Sequence, residues 1–232
     1  MQLTGPEIER RIRDKNCNDI IIEPFDPKCV GSNSYDLHLD KLLRVYKGTI
    51  PKGMKPGIVY EPNKSLSMRD WFETAFDYED YTLRPENYDY RNPKFLLNTC
   101  DDKTHETIDL EIPEQGLILN PQFGYLGSTV EYTETHNLFP YIDGKSSLGR
   151  NFTLNHHTAG RGDDGFCGHW TLEIKVLYPT VIFPNMRIGQ IYYETFIGER
   201  KPYNKNKASH YNKQQGPTPA ATIVIEKIQN TL

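Results

Sequence analysis

The residues best equipped for chemistry fall between positions 143 and 173. Asp143-Gly144-Lys145-Ser146-Ser147-Leu148-Gly149-Arg150 sets two cations and two hydroxyls in close succession. The run from His156 to Glu173 adds the pair Asp163-Asp164, several glycines and the carboxylate of Glu173. Cationic and hydroxyl donors at this spacing suit a polyanion such as a triphosphate, whose oxygens take short, charge-assisted hydrogen bonds. Asp143-Gly144 reads as the turn that presents them.

Each of these residues also has an ordinary reading. From His169 to Val176 the chain alternates, with Trp170, Leu172, Ile174 and Val176 apolar, so Glu173 taken alone is a solvent-facing glutamate on a strand. Lys145 and Arg150 taken alone are surface cations beside an acid; the serines and glycines around them favour phosphate binding. His156, His157 and His169 have no Asp, Glu or Cys partner at metal-ligand spacing and read as core or surface residues. Trp170 reads as core.

The remainder of the chain reads as scaffold. Leu3-Thr4-Gly5-Pro6-Glu7-Ile8 predicts a helix start, with Thr4 capping, Glu7 closing a capping box and Leu3 stapled to Ile8. Ile8 and Ile12 share one face, and the helix is expected to end near Asn16-Cys17-Asn18. Short β runs follow at Ile20–Ile22, at Tyr35, Leu37 and Leu39 on one face, and at Leu43–Tyr46. From Thr107 onward such runs recur at Ile108 and Leu110, Leu117 and Leu119, Tyr125, Val130 and Tyr132, Val181–Phe183 and Ile188–Tyr193. Turn formers such as Asn120-Pro121 and Phe123-Gly124 part them, which predicts a mainly β sandwich or barrel without βαβ units or repeats.

Residues 51–105 are rich in proline, tyrosine and acids and are expected to form a surface insertion. Ser67–Asp70 would cap a short helix there, setting Trp71, Phe72, Ala75 and Phe76 against the body, with Tyr78–Tyr90 as a decorated loop. The segment 201–220 is polar and reads as flexible, with a last strand at Ala221–Ile225.

Composition limits the partners. Over 232 residues the net charge is −4 and 37% of residues are hydrophobic, with a pI near 6.0 and a mean hydropathy of −0.67. That balance argues against a general nucleic-acid or membrane-surface binder, so an anionic substrate needs a local basic pocket. Cys17, Cys29, Cys100 and Cys167 are scattered and read as free thiols of a reducing compartment. Glu7, Glu9, Arg10 and Arg11 stand where a signal peptide needs an apolar run, and no apolar stretch approaches the ~20 residues of a membrane span. The expectation is a soluble, cytoplasmic, single-domain protein.

Several blocks occur in a telling order: Gly31-Ser-Asn-Ser-Tyr-Asp-Leu-His-Leu39, Gly144-Lys-Ser-Ser-Leu-Gly-Arg150, Thr158-Ala-Gly160 with Asp163, Gly168 to Glu173, Met186-Arg-Ile-Gly-Gln190, Pro202-Tyr-Asn204 and Tyr211-Asn-Lys-Gln-Gln-Gly216. Together they resemble the trimeric dCTP deaminase branch of the dUTPase superfamily, along most of the chain except residues 51–105. The resemblance implies a dUTPase-like β-clip, a distorted jelly-roll barrel with a short N-terminal helix, assembled as a homotrimer with active sites where subunits meet. It implies hydrolysis of dCTP to dUTP and ammonia, with Mg²⁺ bound through the triphosphate and no zinc. Residue by residue, Glu173 takes the place of the general base, and Ser146 and Arg150 support the attacking water and the tetrahedral centre. Lys145 and Ser147 fall near phosphate, and Thr158 and Ala159 are carried over as substrate-binding. Asp163 falls where the family binds the sugar 3′-hydroxyl. Tyr203, His210, Tyr211 and Gln214 fall in a tail that closes over the triphosphate.

The implied chemistry agrees with the residue types. Water must attack C4 of cytosine, with protons moved to N3 and to the departing amine. One carboxylate can carry all of these when burial brings its proton affinity toward neutrality. Zinc deaminases instead use H-x-E and P-C-x-x-C signatures, and neither occurs here.

The chain departs from the family pattern in places. Arg161-Gly-Asp-Asp164 stands where relatives usually carry an aromatic residue or Arg and then Ile-Asp-Pro, so either aspartate is a candidate for the sugar, with spacing favouring Asp163. His210 replaces a lysine, for which Lys205, Lys207 or Lys213 could substitute. Phe166 stands where dUTPases carry a tyrosine, and those enzymes lack a glutamate at the place of Glu173. Competing readings are a bifunctional enzyme that continues to dUMP, a pyrophosphatase only, acting on dUTP or a related deoxynucleotide, and a non-catalytic nucleotide sensor. Inhibition by dTTP, known for some relatives, is left open by the sequence.

Overall fold

Period-two alternation becomes three antiparallel sheets around one core. The computed structural model describes residues 1–50, 54–64, 67, 97–101, 103, 105–156, 159–206 and 209–222. In chain order these form α1 (Gly5–Arg13), β1 (Ile20–Glu23), β2 (Tyr35–His38), β3 (Leu42–Tyr46), β4 (Gly57–Val59), β5 (Thr107–Glu111) and β6 (Leu117–Leu119). There follow β7 (Tyr125–Thr135), β8 (Phe139–Gly144), α2 (Ser146–Arg150), β9 (Thr153–Asn155), β10 (Cys167–Val176), β11 (Thr180–Ile182) and β12 (Arg187–Glu194).

The largest sheet runs β5-β3-β7-β10-β9, with β1 also paired to β7. The others run β11-β6-β4 and β2-β12-β8. The mainly β expectation holds. Alternating residues supply the core: Tyr35, Leu37 and Leu39 are fully buried, as are Leu172, Ile174 and Val176 of β10. Each such aliphatic side chain contributes about 1.5–3 kcal/mol by leaving water.

Three local expectations need correction. At α1, Leu3 and Ile8 do enter the core, but Thr4 makes no side-chain cap bond. Glu7 instead turns its carboxylate to Arg10 and Arg11, because charge-assisted bonds outcompete a neutral cap. The helix stops at Arg13, where Asp14 becomes extended and accepts the Asn16 N–H on its carboxylate. Finally, Asp143-Gly144 is the end of β8 rather than a turn. β12 runs alongside it, pairing Gln190 with Asp143 and Gly189 with Gly144, and those ladder bonds hold the chain straight up to α2.

Within the 51–105 stretch, Met54 reaches the core and β4 pairs with β6. Trp71, Phe72, Ala75, Phe76 and Tyr78–Tyr90 lie outside the described residues, as does most of Ala221–Ile225. The four cysteines are free. Among the described residues no helix is long and apolar enough to cross a membrane.

Candidate active site

β10 organises the site. Its inward side chains fix the strand in the core, and the opposite face carries Thr171 and Glu173 to the wall of a cavity of about 470 Å³. Trp170 is buried as expected, yet it lines the same cavity, 4.5 Å from the Phe166 ring centre. Lys175, two positions beyond Glu173, is drawn away: its ammonium donates to the carbonyls of Pro121 and Phe123. Burial holds that ammonium below the usual lysine range.

β9 folds back on β10 so that Asn155 pairs with Ile174. The next residue, His156, then lies across from Glu173 and donates its backbone N–H to the Glu173 carbonyl at 3.1 Å. Its Nδ1 sits 2.6 Å from Glu173 Oε2, with the His156 side chain 6% exposed and that of Glu173 48% exposed. The two groups are close enough to pair as ions when the imidazole carries a proton, but neither ring nitrogen makes a hydrogen bond. Trp170 meets the imidazole edge-on at 6.2 Å and fixes its plane. His156 was expected to be a plain core or surface residue. The hairpin register makes it the neighbour of the carboxylate.

The segment after His156 wraps the cavity, and it can do so because it is glycine-rich. A Cβ at Gly160 would fall 2.3 Å from the Ile142 carbonyl oxygen, and one at Gly162 2.3 Å from Trp170 Cη2. This tight seat on β8 presents Ala159 and Asp163 to the cavity. Asp164 faces the other way: its carboxylate accepts the Asn137 N–H at 2.8 Å and lies 3.2 Å from Arg200 Nη1. Of the two aspartates, Asp163 faces the cavity and Asp164 does not. Thr158, with His157, lies outside the described residues.

The tail forms the remaining wall. Tyr203, Tyr211 and Gln214 all line the cavity, while His210 is exposed and does not. Backbone bonds from Lys213 N–H to the Cys167 carbonyl (2.7 Å) and from His169 N–H to the Gln214 carbonyl (3.1 Å) seat the tail on β10. The strand residue between them is Gly168, at φ 141° and with Gln214 backbone about 3.0 Å from a Cβ position. Farther on, Thr171 Oγ1 accepts the Thr218 N–H at 3.0 Å and Arg44 donates to the Pro217 carbonyl at 2.6 Å.

One expected group is missing from the cavity. Ser146, Ser147 and Arg150 are exposed on α2, and neither they nor Lys145 line it. Lys145 instead lies 2.5 Å from Asp36, which also holds Arg187 at 3.2 Å. A single chain thus supplies a carboxylate wall and a tail but not the cationic arm.

A model of the dCTP deaminase-like family matches residues 80–196. A Leptospira biflexa protein named dCTP deaminase, dUMP-forming is 37% identical over 220 residues, 95% of each chain. The chain belongs to the dCTP deaminase-like family. A Cytophaga hutchinsonii member of the same name is 35% identical over 210 residues, covering 90% of this chain and 91% of its own. A crystal structure of 2′-deoxycytidine 5′-triphosphate deaminase from Agrobacterium tumefaciens aligns with a TM-score of 0.47 at 17% identity. It covers 83% of this chain, which spans about half (47%) of that longer one.

Within this dCTP deaminase-like chain, sequence reasoning gave His156 no part in the site and passed over Thr171. Nothing local marks either residue. Only the β9–β10 register and the tail's path bring them to the cavity.

Proposed function

We propose that this chain deaminates dCTP hydrolytically and carries the product on to dUMP and pyrophosphate. The reading rests on one observation above others: Glu173 and the buried His156 share a wall of a cavity whose size suits a nucleotide,. The dUMP-forming name of relatives at 37% and 35% identity supports the second step.

Glu173 acts first as a base. Water adds to C4 of the cytosine ring and its proton passes to the carboxylate, which returns it to N3. A second transfer through Glu173 moves the proton of the C4 hydroxyl to the exocyclic amine, the C4–N bond breaks to release ammonia, and the C4–O bond becomes the uracil carbonyl. His156 steadies the carboxylate between transfers. Asp163 binds the 3′-hydroxyl and is the group at hand to orient the water that attacks the α-phosphorus. Pyrophosphate then departs and dUMP remains.

The cationic arm comes from a neighbouring copy. Ser146 and Arg150 of the adjacent chain support the water and the developing oxyanion, and Lys145 and Ser147 meet the phosphates, with Thr158 and Ala159 against the base and sugar. A homotrimer with three sites between subunits meets this need. The neighbour and the bound nucleotide also provide the burial that half-exposed Glu173 lacks in one chain. Tyr203, His210, Tyr211 and Gln214 close over the triphosphate. Mg²⁺, arriving with the nucleotide, neutralises phosphate charge. Among the described residues no three His, Cys, Asp or Glu side chains form a metal cage.

The test is to incubate the protein with dCTP and Mg²⁺, separate products by anion exchange and assay ammonia. Ammonia with dUMP and pyrophosphate is expected. Ammonia with dUTP would restrict the enzyme to deamination. Cleavage of dUTP with no ammonia from dCTP would overturn the reading.

A further inference from the structure

Asp164 is a buried carboxylate that the proposed mechanism does not use. Its side chain is 7% exposed. On one side it touches fixed structure: Oδ1 accepts the Asn137 N–H at 2.8 Å, and Asn137 Nδ2 donates to Asp19, which Arg11 of α1 holds at 2.7 Å. On the other side it touches the start of the tail. Oδ2 lies 3.2 Å from Arg200 Nη1, and the Asp164 carbonyl accepts the Tyr203 N–H at 2.7 Å. Its chain neighbour Asp163 and its partner Tyr203 both face the cavity.

We infer that Asp164 is a positioning residue: with Arg200 it clamps the root of the tail, so that Asp163 and Tyr203 keep a fixed spacing while only the tip beyond Tyr211 moves. The physical asymmetry is clear. The tip is held by backbone and hydroxyl hydrogen bonds, each weak on balance against water, and by one bond from Arg44 to the Pro217 carbonyl. If the root left, a nearly buried carboxylate would lose its only cationic partner among the described residues, keeping one neutral donor. Arg200 itself is 40% exposed, but removing it alone strands the nearly buried carboxylate, whereas removing both charges strands nothing,. The inference rests on the proposed binding of dCTP beside Asp163 and Tyr203.

The test compares Arg200→Met, Arg200→Lys, Asp164→Asn and the Arg200→Met/Asp164→Asn double variant. The readouts are steady-state kinetics with dCTP and amide exchange at 200–206 without nucleotide. Arg200→Met should raise KM about tenfold with kcat held within about twofold, the signature of lost pre-organisation rather than lost chemistry. Exchange at Tyr203 should quicken by about tenfold or more. Arg200→Lys should recover most of both effects, and the double variant should be less impaired than Arg200→Met because no charge is stranded. Wild-type KM and exchange in Arg200→Met would overturn the clamp. So would equal losses in kcat and KM that neither Arg200→Lys nor the double variant rescues. If the wild-type protein fails to turn over dCTP, the functional reading falls, and the exchange pattern alone decides the clamp.

Discussion

The imidazole of His156 and the carboxylate of Glu173 stand 2.6 Å apart, one nearly buried and the other half in water. A carboxylate backed by a caged imidazole has one orientation favoured before substrate arrives, which lowers the reorganisation needed when a proton moves.

Replacing Glu173 by Gln is expected to remove ammonia release by about a thousandfold, within the range for a lost general base. His156→Asn keeps a polar group but loses the imidazole. It should lower kcat about tenfold, leave KM unchanged and alter the pH profile of kcat, since what it loses is the orientation of a proton-transfer group. Stopped-time ammonia assays across pH 5–9 check both, and a His156→Asn enzyme with wild-type kcat would remove His156 from the mechanism.

The exposed α2 arm yields a subunit-mixing prediction. Glu173→Gln and Arg150→Met chains should each be inactive alone. Refolded together at equal amounts, they should regain activity at about one site in four, because a site then draws its intact arm and intact carboxylate from different copies of a cyclic oligomer. No recovery would mean that each chain builds its own complete site.

Thr171 anchors the tail tip. Its hydroxyl donates to Gln214 Oε1 at 3.3 Å and accepts the Thr218 N–H at 3.0 Å. Thr171→Val keeps the shape and removes both bonds, worth about 0.5–1.5 kcal/mol each. That predicts a rise of about tenfold in KM for dCTP and faster proteolysis within 209–222, with little change in melting temperature. Unchanged cleavage would show that the tip is held by other contacts.

Acid stability offers an independent check at α1. Arg10 and Arg11 hold the Glu7 carboxyl down to about 2 from its ordinary 4.5. A folded value below the unfolded one stabilises the fold above about 4.5, and that contribution is lost as pH falls toward 2. With these groups open to solvent, the loss in Glu7→Gln should be at most about 0.5 kcal/mol at neutral pH. Urea melts at pH 7 and pH 2 should show this difference reduced on acidification, and reduced also in high salt.

The class of fold and most of the candidate reactive groups were legible in residue order alone. Alternation is a local property, so Trp170, Leu172, Ile174 and Val176 declare both the strand and the outward face of Glu173, and the cluster from Lys145 to Arg150 announces an anion. What the tertiary structure decided was which of these groups share a space. Antiparallel register set His156 against Glu173. The buried contacts with Asn137 and Arg200 separated Asp164 from Asp163, and α2 took the cationic arm away from its own chain's cavity. Those outcomes depend on pairings between segments distant along the chain. Such pairings follow from how whole sheets exclude water together rather than from any residue's own neighbours.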